Sequence, residues 1–291
     1  MSATETLNIT FAPLETIDLA RLERRDATEV DKLLRAASKA GAFFLDFRNV
    51  PNEAAKHLPE DVPKLIDISD EYFAQPLAEK MKDFREGQLP DRDRGFKEES
   101  DCEETFEISY DELVGNTFTY PPVLAKEKHR FDRFLPLIQS AGLTMLARLS
   151  DALQLPENQR FERWHKQDRT SESGLKVIYE PTFERVADWF DNTHTDSGTF
   201  TILFYDQVGL DVFDPETKTW AYAAVPPPDC AFVNLANAVQ SLSGGRLHSP
   251  LHRVSQPADG FKKRYYLSYF LRPEHGVKEA LLAGKDVSDW P

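Results

Sequence analysis

The chain changes texture near residue 172, and that change limits its fold more than anything else in it. Six short runs rich in β-branched and aromatic residues follow: GLKVIYEP, FTILFYD, GLDVFD, TWAYAAV, CAFVNLA and YYLSYFL. Gly, Pro, Asn and Asp punctuate them, the pattern of a β-sandwich or barrel. DPETKTWAY has the residues of a hairpin turn.

Before residue 172 the apolar spacing is mostly helical. Residues 30–40 put Val30, Leu33, Leu34 and Ala37 on one face, with Gly41 as a stop. Residues 62–84 predict a helix broken near Pro76, and 125–155 give the longest helical pattern, carrying Phe131, Phe134, Leu135, Ile138, Leu143, Leu146 and Leu149 and stopped by Pro156. A short helix is expected over 157–166, and helical texture returns around 278–282. LETIDLARL alternates like a half-buried strand, AFFLDFRNV reads as an apolar strand, and the charged stretch 86–105, with Gly87, Pro90 and Gly95, reads as a surface loop. The expected class is α+β with a mainly β, jelly-roll core, a helical N-terminal region and one long supporting helix. The expected divisions are 1–170, 171–273 and a helical tail over 274–291, together one structural unit.

Hydrophobic residues make up 41% of the chain, with 20 Phe, 9 Tyr and 4 Trp, enough to fill a core and line a pocket. A net charge of −14 weighs against nucleic acid and anionic membrane surfaces as partners. No apolar run approaches the roughly 20 residues that span a bilayer, and the N-terminus lacks a secretory pattern. Two cysteines, Cys102 and Cys230, imply no disulfide framework. A cytoplasmic protein acting on a small molecule is expected, with no protein partner evident.

The chemistry lies in NTHTDSG and SPLHRV. His194 and Asp196 are two apart, so on extended backbone they project to one side. Such a pair alone is commonplace on surfaces. It gains weight from the strand that follows it and from His252, 58 residues on and ahead of another strand. Two imidazoles and a carboxylate suit a six-coordinate ferrous ion with positions left open. Among the other histidines, His248 competes with His252, which is favoured because HRV runs into a β-rich segment. His57, His129, His165 and His275 are expected to be ordinary surface residues. Arg264, twelve residues after His252, offers a planar fork for a carboxylate.

The pattern HTD…NLAN…SGGRLHSPLHRV…RYYLSYFLRP resembles the iron(II)- and 2-oxoglutarate-dependent dioxygenases, in the isopenicillin N synthase-like branch of fungal and plant enzymes that tailor secondary metabolites and hormones. The resemblance spans nearly the whole chain, with 174–273 similar to the family's double-stranded β-helix core. It implies Fe(2+) on His194, Asp196 and His252, and 2-oxoglutarate and O2 as cosubstrates. It further implies that Arg264 and Tyr179 hold the far carboxylate of 2-oxoglutarate and that Phe270 faces the substrate. The implied reaction oxidises an unactivated C–H bond of a small organic molecule, by hydroxylation, desaturation or ring formation, in secondary-metabolite biosynthesis. Trp189 and Phe190 are candidates for an aromatic wall beside Phe270.

Two positions depart from the family pattern. The serine of Arg-x-Ser is Tyr266 here, which either donates from its phenol or packs in the core, and Val177 stands where plant members often have asparagine. Three alternatives stay open: an isopenicillin N synthase-type oxidase that does not use 2-oxoglutarate, a non-catalytic binding protein of this fold, and a zinc hydrolase, for which no general base is evident beside the His-x-Asp pair.

Overall fold

Side chains alternate across a strand, and here that alternation separates a helix-packed core from a cavity. The computed structural model describes residues 10–88, 94–100, 103–166, 169–181, 192–255, 262–284 and 287. Within them lie strands β1 (Thr16–Asp18), β2 (Ala42–Asp46), β3 (Gly95–Ser100), β4 (Glu103–Ser109), β5 (Gly174–Pro181), β6 (Phe200–Phe204), β7 (Leu210–Asp214), β8 (Thr219–Tyr222), β9 (Cys230–Leu235), β10 (His252–Val254) and β11 (Lys263–Leu271). The large sheet runs β1-β2-β9-β6-β11-β5-β4-β3 and the small one β10-β7-β8. All pairings are antiparallel except β1 with β2. The two sheets face each other as a jelly roll, with Leu203, Phe232 and Tyr266 of the large sheet in one cluster with Leu210 and Val212 of the small one.

The helices are α1 (Leu19–Glu23), α2 (Ala27–Ser38), α3 (Glu53–Lys56), α4 (Leu58–Phe73), α5 (Leu77–Lys80), α6 (Tyr110–Val114), α7 (Lys128–Ala152), α8 (Asn237–Leu242) and α9 (His275–Leu282). Helix α7 packs Phe131, Phe134, Ile138, Met145 and Leu149 into the same core as Ile202, Phe204, Tyr265, Leu267 and Tyr269 from the outer face of the large sheet. At Gly142 a Cβ would stand 2.8 Å from Leu271 Cδ2, so glycine lets α7 lie close against β11. Because both faces of β6, β9 and β11 are covered, these strands read as continuous apolar runs.

Several expectations change. The loop expected over 86–105 instead contains β3 and the start of β4, a hairpin on the sheet edge with Phe96 opposite Phe106. On β4, Glu104 is paired with Lys80 and Glu107 with Arg272, so part of the charge there marks ion pairs and not only solvent. LETIDLARL is strand only to Asp18, whose side chain accepts from Arg21 N at 3.0 Å and starts α1. Residues 157–166 form two 3-10 turns, Glu157–Gln159 and Phe161–Trp164. Among the described residues no helix is long and apolar enough to cross a membrane.

Candidate active site

Two of the three candidate ligands are tied together by backbone. His194 N donates to His252 O and His252 N donates to His194 O, both at 3.0 Å, closing the gap between segments distant in sequence. Asp196 follows on the turn into β6, and its carbonyl accepts from Asn237 N at 2.8 Å. The result is a cluster of His194, Asp196 and His252 with ligand atoms all within 4.8 Å of one another. His194 Nε2 and His252 Nε2 lie 3.6 and 3.7 Å from Asp196 Oδ1.

Neighbouring groups aim these atoms. His194 Nδ1 is 2.6 Å from Asn192 O and His252 Nδ1 is 3.2 Å from Pro250 O, so each Nδ1–H donates to a carbonyl and each Nε2 is left to ligate. Asp196 Oδ2 accepts from Thr201 Oγ1 and from Asn234 Nδ2, the latter at 2.9 Å, which turns Oδ1 toward the imidazoles. Burial would push the Asp196 carboxyl up, but His194, His252, Asn234 and Thr201 hold it well below the usual range. Its hydrogen-bond partnership with Asp196 raises His194, whereas burial lowers His252. An ionised carboxylate between two imidazoles is the donor set a divalent iron takes, and the residues fit it.

The triad opens into a cavity of about 390 Å³. Lys176, Ile178 and Glu180 of β5 line it, with Tyr266 and Phe270 of β11 and Leu203, Leu210 and Val254 from the facing walls. Arg264 shares the cavity face of β11 with Tyr266 but lies one pleat deeper, 1% exposed and outside the lining, its Nε donating to Val208 O at 3.1 Å. Tyr266 Oη and Glu180 Oε2 are buried with no hydrogen-bond partner among the described residues. A polar ligand at this end would give both a partner.

The structure does not bring Tyr179 into the cavity. It is opposite Tyr265 in the β5–β11 register, on the other face of the sheet, and stacks on Tyr265 at 5.2 Å and Phe73 at 5.5 Å. Odd positions of β5 face the helices, so the residue presented to the cavity is Glu180. Trp189 and Phe190 lie outside the described residues. His248 is not part of the cluster. His165 is no surface residue: it is 4% exposed, its Nε2 2.7 Å from Thr199 Oγ1 and its Nδ1 3.0 Å from Phe161 O, and burial pushes the ring down to about 4. The sequence reading missed the roles of Thr201, Asn234 and Glu180, although Asn234 sits inside the NLAN motif and Glu180 is simply the next position of VIYEP.

Residues 171–273 match the model of the 2OG-Fe(II) oxygenase superfamily. The chain is 31% identical to the 2-oxoglutarate-dependent dioxygenase frbH of Dothideomycetidae sp., over 100% of this chain and 91% of that one. It is 34% identical to the 2-oxoglutarate-dependent dioxygenase gloE of Glarea lozoyensis, over 90% and 80%. Among solved structures, a full-length Neurospora crassa protein in complex with alpha-KG and thymine matches with a TM-score of 0.72 at 19% identity, covering 90% of this chain and 86% of that one. The dioxygenase for auxin oxidation 1 of Arabidopsis thaliana, solved with 2-oxoglutarate, matches at 0.70 and 21%, covering 90% and 94%. These two share the fold.

With that sequence similarity and this site, the chain belongs to the iron(II)- and 2-oxoglutarate-dependent dioxygenases. It is an oxidoreductase of the secondary-metabolite type, using Fe(2+), 2-oxoglutarate and O2 to oxidise a C–H bond of a small organic molecule.

Proposed function

We propose that His194, Asp196 and His252 hold the iron, that the far carboxylate of 2-oxoglutarate docks at Tyr266 with the Arg264 charge behind it, and that substrate lies against Phe270. The observation that carries this reading is the convergence of two Nε2 atoms on Asp196 Oδ1, with every other polar atom of the three side chains turned away by a named partner. Bound iron supplies the redox chemistry, activating dioxygen while 2-oxoglutarate is oxidised to succinate and carbon dioxide. The chain's own part is placement. Thr201 and Asn234 fix the carboxylate, Asn192 and Pro250 fix the imidazoles, and Leu203, Leu210 and Val254 keep water from the reacting face.

Chemistry at the other end of the cavity favours an acidic substrate. Lys176 Nζ and Arg272 Cζ flank Phe270, 5.8 and 4.8 Å from its ring centroid. Glu107 is a carboxylate that both approach, at 3.9 and 2.7 Å, beside that aromatic surface. A planar molecule bearing a carboxylate, or another strong acceptor, suits that surface.

Succinate released in step with oxidised product tests the reaction, and product formed without succinate would favour the oxidase alternative. For the substrate, Lys176→Met should raise KM for an acidic substrate while the 2-oxoglutarate affinity stays put. An equal loss for the methyl ester of that substrate would remove the acidic-substrate reading.

A further inference from the structure

Glu180 and Tyr266 bring two buried polar atoms without a partner among the described residues to one end of the cavity. In the β5–β11 register Glu180 stands opposite Arg264, and Tyr266 is the next position on that face. Cross-strand neighbours of this kind put acid, phenol and guanidinium within reach of one small group. All three are enclosed, at 6%, 2% and 1% exposure for Glu180, Tyr266 and Arg264. A carboxylate entering there meets Glu180 before it meets Arg264, since Glu180 lines the cavity and Arg264 does not. Two carboxylates cannot share that enclosure while both are ionised. A protonated one can instead donate a short, charge-assisted O–H···O bond to the other.

We propose that Glu180 binds the cosubstrate as a neutral carboxylic acid, donating a hydrogen bond to the far carboxylate of 2-oxoglutarate beside the Tyr266 hydroxyl, and that its ionisation closes this subsite by turning Arg264 inward to an internal anion. This rests on the assignment of that carboxylate to the Arg264 end of the cavity. Tyr266 and Glu180 together then replace the serine that the family places two residues after its arginine.

Among the described residues, the charged and titratable groups that bear on Glu180 are Glu103 of β4 and Arg264 and Tyr266 of β11. Burial, reinforced by Glu103 and opposed by Arg264, pushes the Glu180 carboxyl up to about 8. The acid form therefore dominates at neutral pH. Because only that form binds, affinity is full below about pH 8 and falls about tenfold per unit above it. A bound dianion raises the group further, so binding above that pH takes up a proton from solvent.

The test uses the anaerobic ferrous protein titrated with 2-oxoglutarate between about pH 6.5 and 9.5, followed by the metal-to-ligand charge-transfer band. Calorimetry near the alkaline end, in two buffers of different ionisation heat, counts protons. Wild type should show a flat Kd turning upward near pH 8, with proton uptake approaching one per site. Glu180→Gln keeps an N–H donor and should bind with nearly wild-type Kd at neutral pH, with no upturn and no uptake. Glu180→Ala should bind about ten- to a hundredfold more weakly than wild type at neutral pH, the range for one hydrogen bond to a charged group, with no alkaline upturn. A wild-type Kd that stays flat through the range overturns the proposal without needing any variant, as does an upturn that survives in Glu180→Gln. Arg264→Gln separates the two levels: if it leaves the neutral-pH Kd unchanged, the clamp assignment itself fails.

Discussion

Gly209, which leads into β7, sets how much room Tyr266 has. A Cβ there would stand 2.5 Å from Tyr266 Oη and 3.2 Å from both Arg264 Cδ and Ser255 O. The first distance is about 1 Å short of a comfortable contact of roughly 3.5 Å. Tyr266 cannot swing aside, being 2% exposed and packed against Tyr205 at 5.9 Å. Gly209→Ala should therefore overpack the site, costing about 1–3 kcal/mol, a fall in Tm of a few degrees at roughly 2–4 °C per kcal/mol. It should also weaken 2-oxoglutarate binding by displacing the phenol. Tyr266→Phe deletes the atom nearest the new methyl, and that atom has no partner among the described residues, so this change alone should cost the cosubstrate-free protein little. In Gly209→Ala/Tyr266→Phe most of the lost stability should return, a coupling of about 1 kcal/mol or more in a double-mutant cycle. Urea unfolding of the four proteins measures it. Additive free energies, or a Gly209→Ala protein as stable as wild type, would refute the claim that Gly209 makes room for the tyrosine.

Three other outcomes are expected. His165 is neutral when folded, its ring held near 4 against an ordinary 6.5, so the unfolded chain takes up a proton first and stability falls as pH drops from about 6.5 to 4. The loss approaches ~3 kcal/mol; His165→Gln should flatten that part of the pH profile of urea midpoints, and an unchanged slope would assign the acid sensitivity elsewhere. Tyr179→Phe should leave 2-oxoglutarate affinity unchanged whereas Tyr266→Phe weakens it several-fold, roughly the value of one hydrogen bond; equal losses in anaerobic titrations would contradict the facing of β5. His248→Ala should keep stoichiometric ferrous binding, while His252→Ala loses it by metal analysis after desalting.

Much of this was legible in the sequence because its signals were local. Each of the six β-rich runs after residue 172 became a strand, since β-branched and aromatic runs bounded by turn residues have few other uses. The triad was legible because ligand chemistry restricts residue types and His-x-Asp spacing fixes a shared side. What failed was partner-dependent. Residues 95–100 and 103–105 are strand because Phe96 meets Phe106 and Glu104 and Glu107 find mates on other elements, none of which a window of sequence reveals. His165 is buried because Thr199 and the Phe161 carbonyl await its two nitrogens. The resemblance implies a carboxylate-holding role for Tyr179, whereas facing is a matter of parity, and parity on β5 is set by register with β11.

Strand β11 gives this enzyme a linear scale. Arg264, Tyr266 and Phe270 fall on the cavity parity of β11, two and four residues apart, and Arg272 carries the line one residue past its end. In the proposed reading, cosubstrate chemistry sits at one end of that line and the substrate-facing aromatic and cation at the other, about 20 Å apart at the usual rise per residue. Changes at 270 would then retune which molecule is oxidised without disturbing the proposed handling of 2-oxoglutarate at 264 and 266, whereas Arg272 is held by its buried pair with Glu107. A one-residue insertion between the two ends would instead exchange the cavity and core faces of everything beyond it. Diversification of such an enzyme is therefore open to side-chain change at 270 and nearly closed to change in strand length.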